Sequence, residues 1–323
     1  MKTETFTLGV DLGGTNTALA VVDAHGGVLA ESSFPTATES FEDWVAKLKS
    51  VAFEMIPAGL TFETLKGIGI GAPCSNAETG VIEGATDLPW PSPIPVKMIV
   101  ERYLELPVIV SNDANAAAIG EMRFGAAQGM RNFIVLTLGT GVGAGIVCDG
   151  HLLSGKRGFA GELGHVRFGF ASDRDCGCGR KGCLQTVASA KGIMETARRL
   201  LAKEDSPSAM RDIPFCELNP QKIALLAKAG DSLAKEVFEF TGRCLGEAAA
   251  EFAAFTDPEA IFLFGGVSKA GDLLLRPMRE AFAKGALHLY RDNVAIALSG
   301  VNESRAAVLG AAALPLWQLV IGN

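Results

Sequence analysis

No run of lysine or arginine occurs in the 323-residue chain, and its 36 acidic side chains outnumber the 29 basic ones for a net charge of −7. Binding a nucleic-acid backbone requires a basic face, so no nucleic-acid partner is expected. The start, MKTETFTLGVDLGG, has one lysine, no long apolar stretch and no small-residue cleavage site, which argues against export. Seven cysteines, an odd number, do not suggest a disulfide framework and fit reduced thiols in a cytoplasm. The stretch from Ala306 to Gly322, AAVLGAAALPLWQLVIG, is broken by Pro315 and Gln318 and falls short of the ~20 apolar residues of a membrane span. It is expected to be a buried C-terminal helix kinked at Pro315, with no membrane partner. Two nucleotide motifs are also missing: there is no G-x-x-x-x-G-K-[ST], and no G-x-G-x-x-G opens a helix after a strand. What remains is a soluble globular composition, 48% apolar and 20% charged, with length for about two domains.

Two similar stretches stand out, LGVDLGGTNTALAVVDAHGGVL from Leu8 and IVLTLGTGVGAGIVCDGHLL from Ile134. Aligned, Gly13 falls over Gly139, Val21 over Val147 and Asp23 over Asp149. Each reads as strand, glycine-rich turn, strand and second turn. The tips, Gly13, Gly14, Thr15 and Asn16 in one and Gly139, Thr140, Gly141 and Gly143 in the other, expose backbone N–H groups and leave room for phosphate. A tight β-turn explains one such loop as well as phosphate does. Two at equivalent places suggest a duplicated lobe with a nucleotide between the copies. Asp11, at the first turn, could hold Mg²⁺ directly or through water, or simply cap the turn. A third element, EAIFLFGGVSKAG from Glu259, runs a buried strand into Gly265 and Gly266. It suits either an adenosine ring lying on backbone or ordinary helix packing.

The rest alternates strand and helix, which argues α/β layers. Strand-like runs include Ile68–Ala72, Val108–Val110 and Val294–Leu298; helical runs include Phe41–Met55, Asn115–Phe124, Gln221–Ala229 and Ser232–Phe255. In LPVIVSNDANAAAIGE, Asn112 and Asp113 lie at the carboxyl end of a strand, where α/β sheets present ligand-facing groups. A carboxylate there can take the proton of a sugar hydroxyl attacking a γ-phosphate. Its competing reading is a helix N-cap.

Three of the cysteines crowd one loop. GELGH places Glu162 and His165 three apart, and CGCGRKGC follows with Cys176, Cys178 and Cys183. Imidazole and thiolates are the ligands of a closed, structural Zn²⁺ site, commonly Cys₃His; chance clustering is the alternative. These residues, with DLGGTNTALAVVD, SNDANAAAIGE, LTLGTGVGAGIV and FLFGGVS, carry a resemblance that covers nearly the whole chain. The chain resembles the ROK family (repressor, open reading frame, kinase), and within it the glucokinase-type sugar kinases.

The resemblance implies a two-lobed actin-like ATPase (ribonuclease H-like) fold of α/β class with a structural zinc loop. The lobes would span 1–120 and 121–303, with a terminal helix at 304–323 packing back on the first. It implies a transferase of carbohydrate metabolism that phosphorylates the 6-hydroxyl of a hexose with ATP, with glucose expected first. N-acetylglucosamine, N-acetylmannosamine, mannose and fructose are the alternatives. By the resemblance Asp113 is the general base, and Asn112, Glu162 and His165 contact the sugar. Zn²⁺ sits on His165, Cys176, Cys178 and Cys183, and the assembly is a cytoplasmic homodimer or homotetramer. A non-catalytic sugar sensor, the other kind of family member, carries a DNA-binding segment ahead of the first hairpin, and here only seven residues precede Leu8. Two positions depart from the family pattern. Gln185 stands where a sugar-binding Glu is usual, and Asp87, in TDLPW, stands where Asn-Leu commonly precedes a Trp. A hydrogen bond to a charged group contributes ~1.5–3 kcal/mol and a neutral one ~0.5–1.5 kcal/mol. Gln185 is therefore expected to cost about 1 kcal/mol of sugar affinity.

Overall fold

The structure, a computed structural model, describes residues 5–85, 87–301 and 305–321. Of the terminal segment expected at 304–323, residues 304, 322 and 323 lie outside the described residues. In chain order the strands are β1 (Phe6–Leu12), β2 (Asn16–Asp23), β3 (Val28–Pro35), β4 (Leu65–Gly71), β5 (Ser75–Asn76), β6 (Val81–Ile82), β7 (Val108–Ser111), β8 (Phe133–Leu138), β9 (Val142–Cys148), β10 (His151–Leu152), β11 (Ala260–Phe264) and β12 (Ala295–Leu298). The helices are α1 (Phe41–Met55), α2 (Val96–Leu104), α3 (Asp113–Phe124), α4 (Gln185–Ala188), α5 (Ala190–Lys203), α6 (Pro220–Lys228), α7 (Ser232–Thr256), α8 (Asp272–Gly285), α9 (His288–Arg291) and α10 (Ala306–Ile321).

The chain divides into two compact units, Met1–Gly129 with Leu152–Ala160 and Gly300–Asn323, and Met130–His151 with Gly161–Ser299. The first holds a sheet ordered β3-β2-β1-β4-β7, the second one ordered β10-β9-β8-β11-β12. In each, the glycine-tipped hairpin is antiparallel (β1 with β2, β8 with β9), and the following strands add in parallel (β4 and β7; β11 and β12). The duplication read from the two hairpins thus extends to the sheets that carry them, and the α/β class is as expected. The linear reading did not anticipate segment 152–160, which joins the first unit: a Cβ on Gly158 would stand 3.0 Å from Asn76 Oδ1.

Local signals set the helix starts. Ser40, Asn112, Ser189, Asn219 and Asp231 each accept a backbone N–H of the first turn, at α1, α3, α5, α6 and α7. Beneath the first hairpin an aromatic cluster fills the core. Phe41 stacks on Trp44 with ring centroids 5.2 Å apart, and Trp90 packs edge-on to both. Trp44 Nε1–H donates to Thr17 Oγ1 at 2.8 Å, so the polar end of the largest core side chain holds the hairpin.

α10 lies on the first sheet through glycines. A Cβ on Gly9 of β1 would collide with Val308 O, and one on Gly69 of β4 with Ala311 O. Thr7 Oγ1–H donates to Ala312 O at 2.9 Å beside them. Pro315 sits inside α10, its ring over Gly67 and Gly69. Among the described residues no helix is long and apolar enough to cross a membrane. Because this approach leaves no room for a methyl group, Gly9→Ala should destabilise the fold by about 1–3 kcal/mol, the range of overpacked cores. Thermal unfolding measures this, and an unchanged midpoint would contradict the close packing.

Candidate functional site

The sequence-predicted residues fall into two groups, one on each unit. On the first unit the hairpin tip is held from behind. Thr36 Oγ1–H donates to Gly13 O at 2.7 Å, Thr36 N–H donates to Thr15 O at 2.9 Å, and Thr17 and Thr36 hydroxyls pair at 3.0 Å. With those carbonyls tied back, Gly14, Thr15 and Asn16 stand exposed, Asn16 already in β2. The main chain of Asp87 lies against this tip, its carbonyl 2.5 Å from where a Cβ on Gly14 would be.

Asp11, the last residue but one of β1, lies within electrostatic reach of the exposed Asp113. Burial, and then the charge of Asp113, push the Asp11 carboxyl up to about 6. Two neighbouring carboxylates, one of them half-buried, are the chemistry that an oxygen-ligated divalent cation relieves. The competing N-cap reading of Asp113 does not hold. Asn112 is the cap, its Oδ1 accepting from Asn115 N–H at 2.7 Å, because it is the last residue with extended backbone before α3. Asp113 is already helical, and only its Oδ1 is engaged, by Ala114 N–H at 2.9 Å. Sequence reasoning passed over two neighbours. The Ser111 hydroxyl and both amide atoms of Asn115 are buried without a protein partner. A polar Asn in an otherwise alanine-rich helix was the available signal.

On the second unit, Gly139 O accepts from Ala190 N–H at 2.8 Å and Gly141 O from Gly139 N–H at 3.0 Å, while Gly143 lies within β9 opposite Thr137. Gly265 packs against the end of β8, its φ of +96° one that favours glycine, and Val267 N–H donates to Leu138 O at 3.1 Å. This brings the third glycine element beside the second hairpin. A cavity of about 200 Å³ opens there, lined by Gly266 and by residues the sequence did not flag, Gln221, Leu225, Phe238 and Lys269. A larger groove near Arg174 and Arg199 is less suited to a ligand. Arg199 pairs with Glu195 and Asp173, and Arg174 donates to Thr186 O, Gly192 O and Thr196 Oγ1.

The GELGH turn lies flat on β9, since a Cβ on Gly164 would collide with Val142 O. Glu162 is exposed at its start and His165 closes it. The cysteine loop folds back by a pair of bridges, Arg167 to Cys183 and Asp175 to Lys181. His165, Cys176, Cys178 and Cys183 converge with ligand atoms within 4.8 Å of one another. Cys178 Sγ and Cys183 Sγ lie 3.7 Å apart, and Cys176 Sγ lies 3.7 Å from His165 Nδ1. A tetrahedron with Zn–S bonds of ~2.3 Å has edges of about 3.8 Å, so the donor set and its spacing fit Zn²⁺. The Arg180 guanidinium beside Cys178 pulls its thiol down to about 6, and burial pushes Cys183 up to about 11. Gln185, expected on a sugar hydroxyl, stands between this cluster and the second hairpin: Nε2–H donates to Cys176 Sγ at 3.1 Å, and Oε1 faces Val142 N–H at 3.5 Å.

The chain is similar to known proteins over most of its length. A family model described as "ROK family" matches residues 7–317. A protein named glucokinase from Halalkalibacterium halodurans is 36% identical over 307 residues, 94% of this chain and 92% of that protein. The crystal structure of a ROK family glucokinase from Streptomyces griseus, in complex with glucose and AMPPNP, superposes with a TM-score of 0.78 at 33% identity. That match covers 96% of this chain and 98% of that one. A xylose repressor from Caldicellulosiruptor bescii is 31% identical over 85% of this chain and 69% of its own length.

Two outcomes follow from the carboxylate and thiolate clusters. A carboxyl raised from 3.8 to about 6 holds its proton more tightly folded than unfolded, so its ionisation destabilises the fold as pH rises through that window. Asp11→Asn should therefore raise stability at pH 7 by on the order of 2 kcal/mol and by about half as much at pH 5. Urea unfolding at the two pH values measures this, and a variant less stable than the parent at pH 7 contradicts it. Purified protein should carry close to one Zn²⁺ per chain by elemental analysis, and Cys178→Ser should lose it. Metal-free protein that keeps full activity contradicts the site.

Proposed function

The chain belongs to the ROK family, and on that premise we propose that it is an ATP-dependent sugar kinase that phosphorylates the 6-hydroxyl of glucose. The observation that carries the reading is the placement of Asp113. It is exposed at the carboxyl end of the first sheet, with the helix cap supplied by Asn112 and a cation-suited carboxylate, Asp11, beside it. The glucokinase relatives, alike over nearly the full chain, support the same activity.

In this reading Asp113 accepts the proton of the 6-hydroxyl as its oxygen attacks the γ-phosphorus. The bond to the bridging oxygen breaks, ADP leaves with the electron pair, and the proton stays on Asp113. Asn112, Glu162 and His165 orient the sugar, and the Asp87 segment borders the first hairpin. The tips at Gly13–Asn16 and Gly139–Gly141 bind phosphates, and Gly265 and Gly266 floor the adenosine site. Asp11 would hold Mg²⁺, which neutralises phosphate charge when bound. His165, Cys176, Cys178 and Cys183 would hold Zn²⁺, which orders the loop and takes no part in bond breaking. Cytoplasmic location, assembly as a homodimer or homotetramer and the absence of a nucleic-acid partner complete the proposal. A second reading, a sugar-responsive regulator without turnover, draws on the likeness to the xylose repressor. ADP release measured with ATP against a panel of hexoses separates the two, and no turnover with any sugar would select the regulator.

Asp113→Asn tests the mechanism. Asn112 keeps the helix cap, so the variant should fold normally and bind nucleotide while kcat falls on the order of 10²–10⁴-fold. Near-parental turnover of the folded variant would remove Asp113 from the chemistry.

A further inference from the structure

We propose that Gln185 is a positioning residue that couples the cysteine loop to the second hairpin, so that metal and nucleotide phosphate stabilise each other's sites. The inference rests on the zinc and nucleotide readings above. Its observations are the two ends of one amide. A metal-bound thiolate only accepts hydrogen bonds, so the amide nitrogen must face Cys176 Sγ, where it lies at 3.1 Å. That leaves Oε1 for the hairpin, 3.5 Å from Val142 N and 3.2 Å from where a Cβ on Gly141 would be. The backbone after Gln185 holds the same turn: the helix it starts is four residues long, and Ala190 N–H then donates to Gly139 O at 2.8 Å. Segment 185–190 thus touches both ends of the hairpin tip and, at its first residue, a metal ligand.

The residue type matters for an electrostatic reason. Three thiolates and a neutral imidazole leave a Zn²⁺ site with a net negative charge, which a neutral N–H donor stabilises. A carboxylate at the same place could not donate and would add repulsion. Groups that hydrogen-bond to metal ligands typically change metal affinity 10–100-fold. The departure from the usual Glu therefore trades the sugar contact expected there for a link between two sites within one unit. Such linkage is reciprocal: a ligand that rigidifies the hairpin must tighten the metal site by the same factor.

The test is the rate of zinc release from the holoenzyme to a chromogenic chelator, with and without AMPPNP, whose own binding is measured by calorimetry. In the parent, AMPPNP should slow release about fivefold or more. Gln185→Leu should release zinc about tenfold faster without nucleotide and lose the AMPPNP effect. Gln185→Glu, near-isosteric and able to fold if the apolar variant does not, should behave the same way and shift the thiolate-to-metal absorption of the cobalt-substituted protein. Parental release rates, or full AMPPNP protection, in a zinc-loaded variant overturn the coupling alone. A parent that carries no zinc overturns the metal reading with it, and one that holds zinc but binds no AMPPNP overturns the nucleotide reading with it.

Discussion

A hairpin tip presents its N–H groups to an anion best when its carbonyls are turned away and held, and the surroundings of both hairpins in this chain hold them so. On the first unit, Thr36 takes both the Gly13 and Thr15 carbonyls, and Thr17, itself bonded to Trp44, braces Thr36. On the second, Ala190 takes the Gly139 carbonyl, and Gly139 N–H donates to Gly141 O, so that N–H closes the tip and is not one of those presented to an anion. The same geometric solution rests on different supports: an aromatic core in one unit, and in the other a helix start that follows the cysteine loop. The supports are buried or half-buried, so the tips are held without reducing their exposure.

The carboxylates illustrate the cost of function. Ionised Asp11 at neutral pH costs the fold stability, because burial and the charge of Asp113 both oppose its charge. A protein selected for stability alone would place an amide there. A strained pair of acids at the carboxyl end of a sheet instead reads as a site prepared for a cation and a proton acceptor. The unpartnered Ser111 and Asn115 atoms beneath them belong to the same neighbourhood, where polar groups stay available for water or ligand.

Much of this was legible in order along the chain. The helical run Phe41–Met55 coincides with α1 at both ends, its start fixed locally by the Ser40 cap. The duplicated hairpins and the Cys-x-Cys spacing were likewise local, and their geometry followed. Which of Asn112 and Asp113 caps α3 is not legible from the sequence, since Asn and Asp stand side by side and both can cap. Only the backbone angles at Asn112, extended rather than helical, decide between them.

The sequence by itself determined the elements, the two phosphate-type turns, the metal-ligand set and the family, because each depends on residues close together or on patterns repeated in register. Tertiary structure alone decided why Gly9 and Gly69 must be glycine, since the obstacle is a helix some 240–300 residues further along the chain. It also decided that segment 152–160 joins the first unit. It decided the surroundings of Gln185, whose polar atoms meet Cys176 and the β9 hairpin. Side-chain partners of this kind are chosen by packing between distant segments, and no spacing rule within one segment encodes them.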